Sequence, residues 1–370
     1  MGAAASPAGN RTGDIMLTIF SFLVVLSVLV VVHELGHFLM AKRFGVKVLE
    51  FGIGHPPRLF AIKRGETEYS LNAIPLGGFV RMLGEETAGM RDVVRPQDAG
   101  RSFSAKSRAQ RALILVAGPA MNLLLAPLLL TALFMIGVPQ EDPAAQNQVQ
   151  IHDVVPGSPA ARAGLRPGDI IESIDGHPIT SVDDLRTVTR TRLGQETTLT
   201  VRRGGRTVTV TLTPRTDPPP GQGAIGIQVG RVYTTVSYPL WEALPRGVLM
   251  TVQLLWLFAH GIWLTVSGLV QPDVVGPIGI AEMTGRAASR GIGALLQFTA
   301  FISLNLAIFN LLPFPGLDGG RLLFVALETV RGRRVLSPQR EGLIHFIGIM
   351  ILLTLILLVS FNDIMRWAAR

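Results

Sequence analysis

The sequence of 370 residues contains no cysteine. This absence excludes disulfide bonds and thiolate metal sites, so a bound metal would need histidine or carboxylate ligands. Charged residues are also scarce, at 16% of the chain, whereas an ordinary soluble domain carries roughly 25%. The shortage argues against a purely soluble protein and against a disordered one. The formal net charge is +8, but no basic run is interleaved with aromatic residues, so we predict no nucleic-acid partner.

Five long stretches of the chain lack Asp, Glu, Lys and Arg altogether. They are Ile15 to Val32, Ala112 to Gln140, Gly247 to Pro272, Gly291 to Leu317 and Gly342 to Asn362. A membrane-spanning helix needs about 20 largely apolar residues, and the first stretch continues as a helix through His37. All five are therefore long enough, which predicts a protein integrated in the lipid bilayer. The small polar residues 1–14 before them predict a disordered tail.

The composition changes between residues 145 and 235. Polar and β-branched residues alternate from Thr198 to Val201 and from Thr207 to Leu212, which predicts two strands. The sequence Arg203-Gly204-Gly205-Arg206 between them predicts a hairpin turn, and Asp183 to Thr191 fits a short helix. We therefore expect one small α+β domain outside the bilayer.

The first motif with chemical content is His33-Glu34-Leu35-Gly36-His37, at the end of the first apolar stretch. Residues i and i+4 share one face of a helix, so both imidazoles can reach one metal ion. Glu34, beside the first histidine, can then act as the general base on a water. The alternative is a pair of interfacial histidines with Glu34 facing the lipid headgroups.

The second motif runs from Asn310 to Gly320, with the sequence NLLPFPGLDGG, at the end of the fourth apolar stretch. Pro313 and Pro315 break the helix, and the glycines let the backbone turn. Asp318 could be a third metal ligand, because catalytic zinc usually takes three protein ligands and leaves one position for water. Alternatively, it only caps a following helix, predicted over 321–328.

Together the two motifs, HELGH late in one span and NxxPxPxLDG late in a distant one, resemble the site-2 family of intramembrane metalloproteases. The closest resemblance is to the bacterial regulator-of-sigma-E protease type. Gly77 to Glu85 resembles the membrane-reentrant β-hairpin of this family, and Ala117 to Asn122 resembles its second span. Gly276 to Ile280 resembles the approach to the third span.

The resemblance implies a Zn²⁺ ion bound by His33, His37 and Asp318, with Glu34 as the catalytic base. It also implies that Asn310 positions substrate or stabilises the oxyanion, although a helix–helix hydrogen bond is the plainer role. The hairpin would bind an unwound substrate segment by strand addition, although it could equally be a static structural element. The substrate-binding prediction covers Gly77, Gly78, Phe79, Val80, Arg81 and Met82.

Val154 to Ala160 and Ala163 to Ile171 resemble a protease-associated PDZ domain. The resemblance implies one permuted PDZ domain between the second and third spans, within residues 145–235. PDZ domains bind an extended peptide by strand addition, and Gly226-Ile227 is a candidate for the groove. The domain could bind a peptide ligand or only restrict access to the active site.

Charge indicates the membrane topology. The loop from Ala41 to Arg111 contains 13 Lys or Arg against 7 Asp or Glu, and 319–340 contains five Arg against one Glu. Both segments should be cytoplasmic by the positive-inside rule. His33 and Asp318 can then share a zinc ion only if 247–272 does not cross as a simple span. We predict an interfacial helix there, with an ordinary fifth span as the alternative.

The sequence thus predicts a polytopic α-helical membrane protein with four transmembrane helices, a membrane-associated helix, a reentrant β-hairpin and one inserted extracytoplasmic α+β PDZ domain. The predicted regions are a tail (1–14), an N-terminal catalytic half (15–140), the PDZ domain with its linker (145–235), the membrane-associated helix and connector (240–290), and a C-terminal catalytic half (291–370).

The predicted function is zinc-dependent intramembrane proteolysis in the bacterial inner membrane, with the active site toward the cytoplasm and the PDZ domain and both termini outside. By resemblance, the substrates are single-span membrane proteins already cut outside the membrane, such as an anti-sigma factor or a signal-peptide remnant. A non-catalytic membrane scaffold that uses its PDZ domain is the main alternative. A transporter with a zinc site is disfavoured because the chain has few spans and no inverted repeat.

Overall fold

The computed structural model describes residues 11–85, 95–219, 221–271, 275–333 and 336–368. The chain forms two compact units: a largely helical one up to Ile136 and from Tyr238 onward, and a β-rich one over Gly137–Ser237. The first helix begins at Arg11, inside the predicted tail, and residues 1–10 lie outside the described residues.

Nine α-helices occur among the described residues. They are α1 Arg11–Arg43, α2 Arg108–Ile136, α3 Pro159–Arg162, α4 Val182–Thr191, α5 Leu240–Val266, α6 Pro277–Ser289, α7 Ile292–Leu311, α8 Asp318–Arg331 and α9 Pro338–Ala368. The strands are β1 Val48–Arg64, β2 Thr67–Met82, β3 Val138–Glu141, β4 Val149–Val154, β5 Ile170–Ile174, β6 His177–Pro178, β7 Thr197–Arg203, β8 Arg206–Leu212, β9 Ile227–Gly230 and β10 Tyr233–Val236.

Five helices, α1, α2, α5, α7 and α9, are long and apolar enough to cross a membrane. Each includes most of one of the charge-free stretches of the sequence, as membrane-spanning helices do. The predicted polytopic helical membrane protein with a β-rich insertion is confirmed at this level. The stretch 247–272, which we predict to be interfacial, lies largely in α5.

Small residues bring the helices of the first unit close together. A Cβ atom added at Gly36 of α1 would lie 2.2 Å from the carbonyl oxygen of Ala117 in α2. A Cβ atom at Gly247 of α5 would lie 2.5 Å from the hydroxyl of Thr131, also in α2. The Ser303 hydroxyl of α7 donates a 2.8 Å hydrogen bond to the carbonyl of Asn122. Helix α2 is therefore the central element, since α1, α5 and α7 all pack on it.

Strands β1 and β2 form a sheet that folds back on itself. Residues 48–53 of β1 pair on one side with 78–82 of β2 and on the other side with 68–71 of the same strand. The Glu50 carboxylate is buried inside this sheet, where it accepts hydrogen bonds from Ser70 at 2.7 Å and Arg58 at 3.0 Å. The segment 78–82 is therefore an edge strand whose outer side pairs with no described strand.

The β-rich unit is a curved antiparallel sheet with α4 beside it. The strands follow the order β8-β7-β5-β4-β9, with β6 on β5, and β3 and β10 form a separate ribbon. Strands β7 and β8 pair up to Arg203 opposite Arg206, which confirms the predicted turn. The helix predicted over 183–191 is α4. The core includes buried aliphatic residues of β4, β5 and β7, and those of β4 and β7 follow the period of two that strands require.

Candidate active site

The two histidines of α1 and the aspartate at the start of α8 meet at one point. Nε2 of His33 lies 3.0 Å from Oδ2 of Asp318, and Nε2 of His37 lies 3.2 Å from the same oxygen. The two Nε2 atoms are 3.1 Å apart. Among the described residues, this is the group of His, Asp or Glu side chains whose spacing suits one metal ion.

The spacing fits zinc. Zn–N and Zn–O bonds of about 2.0–2.2 Å around a tetrahedral ion separate the ligand atoms by about 3.3 Å, close to the observed triangle. Oδ2 of Asp318 is buried and accepts no hydrogen bond of good geometry within the described part of the chain. Burial raises the pKa of Asp318, but the neighbouring His37 and His33 lower it further, so this pKa lies well below its usual range. The carboxylate is therefore ionised, as a metal ligand must be.

The remaining ring nitrogen of each histidine has its own partner on α2. Nδ1 of His37 lies 2.8 Å from the carbonyl of Ile114, which can only accept, so Nδ1 carries a proton and Nε2 is the nitrogen available to a metal ion. Nδ1 of His33 lies 3.5 Å from the side-chain amide of Asn122. Asn122 is fully buried and its Oδ1 has no partner in the described residues. A flipped amide would let Oδ1 accept the Nδ1 proton of His33.

The position of Gly118 explains why α2 can approach the site so closely. A Cβ atom at this residue would lie 2.3 Å from Nε2 of His37 and 2.8 Å from Nε2 of His33. Only a residue without a side chain leaves room for the ligand atoms and an ion. The glycine of the Ala117 to Asn122 segment thus borders the candidate metal ligands directly.

A tight loop presents Asp318. After α7 ends at Leu311, Gly316 adopts φ +100°, a conformation that favours glycine, and Asp318 is the first residue of α8. The N–H of Gly316 donates a 2.9 Å hydrogen bond to Nδ1 of His345 in α9. The N-cap of α8 is Leu317, and Asp318 is the first helical residue, so Asp318 does not occupy the N-cap position that the alternative prediction gave it.

Glu34 faces the edge strand of the β1–β2 sheet. The backbone N–H of Val80 donates a hydrogen bond to the Glu34 carboxylate. A Cβ atom at Gly78 would lie 3.7 Å from Cγ of Glu34 and 3.6 Å from Val30, so α1 and this strand are in direct contact. The predicted substrate-binding segment 77–82 therefore borders the predicted catalytic base.

An ion pair connects this sheet to the metal-binding helix. Glu85, just beyond β2, pairs with Arg321 of α8, three residues after Asp318. A second pair joins α2 to α8, between Arg111 and Glu328 at 2.7 Å. Helix α8 is thus fixed at both its first and later turns.

The structure brings His33, Glu34, His37, Asp318 and the edge strand together, but it does not link Asn310 to them through any described hydrogen bond. Asn310 lies half-buried in the last turn of α7. Sequence reasoning did not assign roles to Asn122, Gly118 or His345. The first two lie in the AGPAMN segment, whose buried polar residue within an apolar stretch was an available signal. His345 had none, because its partner is a backbone amide.

Comparison with known proteins agrees with the site. Residues 21–355 match peptidase family M50. The zinc metalloprotease RasP of Geobacillus kaustophilus is 32% identical, over 95% of this chain and 98% of its own. The regulator of sigma-W protease RasP of Bacillus subtilis is 31% identical, over 94% and 98%. The PDZ domain of an SdrC-like protein from Listeria monocytogenes is 23% identical, over 22% of this chain and 87% of its own, with a TM-score of 0.21.

The family match covers most of the chain, including both motifs that supply the ligand triangle. The two RasP relatives match this chain over nearly their whole length, and the first is named a zinc metalloprotease. The metal is therefore zinc, and the chain is a metalloendopeptidase of the membrane. The protein belongs to peptidase family M50, the site-2 family of intramembrane zinc metalloproteases.

Proposed function

We propose that this protein hydrolyses a peptide bond within a membrane-spanning segment of its substrate, with His33, His37 and Asp318 as zinc ligands and Glu34 as general base. The observation that carries the proposal is the convergence of three buried ligand atoms next to a carboxylate that borders an unpaired strand edge. A purely structural metal site would not require an open strand edge beside it, and a purely peptide-binding edge would not require metal ligands beside it.

Zinc in this triangle supplies Lewis-acid chemistry, which activates a water and polarises the scissile carbonyl. Glu34 takes the proton of the attacking water and later delivers it to the departing amine. The Val80 amide orients Glu34 for both transfers. Ile114 and Asn122 contact Nδ1 of the two imidazoles, so that each Nε2 would be available to bind the ion.

Strand addition is the proposed mode of substrate binding. The backbone groups of a transmembrane helix are all hydrogen-bonded internally, so a substrate helix must unwind before hydrolysis. The open edge of 78–82 offers backbone partners to such an unwound segment. Gly77 and Gly78 let this segment lie directly on α1, beside Glu34. Asn310, at the end of α7, is proposed to contact the substrate as well.

The proposed substrates are single-span membrane proteins whose outer part has already been removed. The Bacillus subtilis relative is named a regulator of a sigma factor, which supports an anti-sigma factor as the substrate class. A remnant signal peptide has the same form, a short chain with one apolar span. In this proposal, the PDZ-like unit outside the membrane excludes substrates that still carry a folded outer domain.

The β-rich unit has a groove that suits a peptide ligand. Strand β9 is an edge strand, and a cavity of about 620 Å³ lies between it and α4. Its apolar lining includes Leu185 and Ile227, and Arg186 and Arg190 of α4 also line it. An extended peptide added to β9 would fill this cavity, and the arginines favour a peptide that carries carboxylates.

Four spans with both termini outside are the proposed topology. Near its start, at Gly247, helix α5 packs on Thr131, which lies further along α2 than Gly118 and Asn122. The segment that follows α5 also lies at that end, because Gly276 packs on Asp363 near the end of α9, and Gly285 packs on Thr18 near the start of α1. The start of α5 and the segment that follows α5 are thus both consistent with the same side of the membrane. Helix α5 would then be oblique or interfacial, despite a sufficient length.

The deciding experiment is cleavage of a truncated single-span reporter by the purified, zinc-loaded protein in detergent. We expect the parent chain to release product and Glu34→Gln to lower the rate by at least about 10²-fold, since general-base catalysis contributes roughly that much. Glu34→Gln should still bind zinc, which separates loss of the base from loss of the site. Equal product from both chains would refute the mechanism. A zinc-loaded parent that binds reporter without cutting it would instead favour the scaffold function.

A further inference from the structure

A second cavity, of about 420 Å³, lies between α5, α6 and α7. None of the residues that line it belongs to the metal centre or to the edge strand. Its apolar walls include Leu254 of α5 and Phe298 and Phe301 of α7, and two arginines, Arg286 and Arg290, line it from α6. Since α5 and α7 are both apolar enough to lie in a membrane, this cavity is bordered by lipid-facing helices.

Helix α6 presents two different faces. Gly285 packs against α1, where an added Cβ atom would lie 2.1 Å from the Thr18 hydroxyl. Arg286 and Arg290 are one helical turn apart and therefore share the face that lines the cavity. Arg286 pairs with Glu282 on the same helix. Arg290 forms no ion pair with any residue in the described ranges, so the cavity keeps an excess of positive charge.

This combination of surfaces selects for an amphiphilic anion. A soluble anion would pair with the guanidinium groups but would leave the aromatic and aliphatic walls in contact with water or detergent. A neutral acyl chain would cover those walls but would leave the guanidinium group of Arg290 without an anionic partner. Arginine forms bidentate hydrogen bonds with phosphate groups.

We propose that this cavity binds a phospholipid with an anionic headgroup. The phosphate pairs with Arg290 and Arg286, and an acyl chain lies on Leu254, Phe298 and Phe301. The bound lipid then fills the space between α5 and the α6–α7 pair. This inference goes beyond the protease function and does not depend on it.

Native mass spectrometry of the full-length, zinc-loaded protein tests the proposal. The protein is released from micelles that contain equal amounts of dioleoyl-phosphatidylglycerol and dioleoyl-phosphatidylcholine. We expect the phosphatidylglycerol adduct to dominate, and to weaken at least tenfold in the double variant Arg286→Gln and Arg290→Gln, because two charge-assisted hydrogen-bonding groups are lost. The double lysine variant, which keeps both charges, should retain most of the adduct.

Arg64→Gln is the charge control, matched to the single variant Arg290→Gln. Arg64 is an exposed arginine at the end of β1, without an ion pair in the described residues, so this variant removes one positive charge elsewhere. It should leave the adduct unchanged. Equal retention of the two lipids by the parent chain, or the same loss in Arg64→Gln as in the double variant, would overturn the proposal. If the double variant fails to fold, Arg290→Gln alone tests the same expectation, since it breaks no ion pair.

Glycerol phosphate distinguishes a lipid site from a simple phosphate site. It carries at least the negative charge of the headgroup, since a phosphomonoester has about −1.5 to −2 charge at pH 7, but it has no acyl chain. We therefore expect it to leave the phosphatidylglycerol adduct intact at millimolar concentration. Complete displacement would show that the apolar walls contribute nothing, and the lipid assignment would then be wrong. A co-purified peptide in place of lipid would also refute it.

Discussion

Single residues around the metal centre are constrained by space as much as by chemistry. His33, His37 and Asp318 are the proposed ligands, and the room for an ion between them depends on Gly118 of the facing helix. Asn122 and Ile114 then fix the ring nitrogens that do not face the ion. A substitution that leaves every ligand in place can therefore still remove the metal.

Gly118→Ala tests most directly whether the absence of a side chain at this position is needed for metal binding. Its Cβ atom would overlap Nε2 of His37, so we expect the zinc affinity to fall at least tenfold, as it does when groups that orient metal ligands are lost. Zinc content after dialysis against a weak chelator measures the effect. Gly261→Ala in α5 is the control, because a Cβ atom there meets no other atom within 4 Å. Normal zinc content in Gly118→Ala would contradict the site geometry.

At the scale of elements, the β1–β2 sheet is attached to the catalytic helices at two points. The segment 78–82 contacts Glu34 through the Val80 amide, and Glu85 beyond it pairs with Arg321 of α8. In the proposed mechanism, a substrate strand added to this edge would lie next to the general base Glu34 and the metal ligand Asp318. The attachment would then let the sheet position a peptide for the helices that supply the chemistry.

Cysteine cross-linking tests strand addition. The chain has no native cysteine, so only the introduced thiol can react. Cysteines placed one at a time from Phe79 to Met82 are paired with one cysteine in the substrate span. Neighbouring residues of a strand face opposite sides, so we expect disulfide yields to alternate along the four positions. A uniform yield, or none at all in a variant that still cleaves, would argue that the substrate binds elsewhere.

At the scale of the whole molecule, the proposed topology requires both connections of α5 to lie outside. A cysteine at Ser267, the C-cap of α5, should react with an impermeant reagent from the outer side. A cysteine at Val330, an exposed residue of α8, should react only from the cytoplasmic side. Reaction of the Ser267 cysteine from the cytoplasm would establish α5 as a fifth span and would refute the four-span arrangement.

The β-rich unit Gly137–Ser237 is the part of the molecule that could select substrates by size. Its removal, with a short flexible linker in its place, should allow cleavage of a reporter that still carries a folded outer domain. We expect the rate on the already truncated reporter to change less than about threefold. Cleavage rates on the two reporters measure the effect. An unchanged preference for the truncated reporter would rule out the filter.

Much of this architecture follows from local patterns. Charge-free stretches produce helices α1, α2, α5, α7 and α9, because the cost of burying charge in lipid is a property of each segment alone. Alternation of polar and β-branched residues produces β7 and β8, with their turn at 203–206. The HELGH spacing places His33 and His37 on one helical face, because the helical period fixes it.

Other features depended on contacts between distant segments. The sequence allowed Asp318 to be either a cap or a ligand, and only the packing of α8 against α1 brings its Oδ2 to the two Nε2 atoms. The edge strand at 78–82, the Asn122 contact with His33 and the cavity beside Arg290 likewise arise from long-range packing. The sequence by itself determined the segments and the chemical groups, because these depend on local composition and period. The tertiary structure decided which groups meet, because that depends on how close their helices can approach.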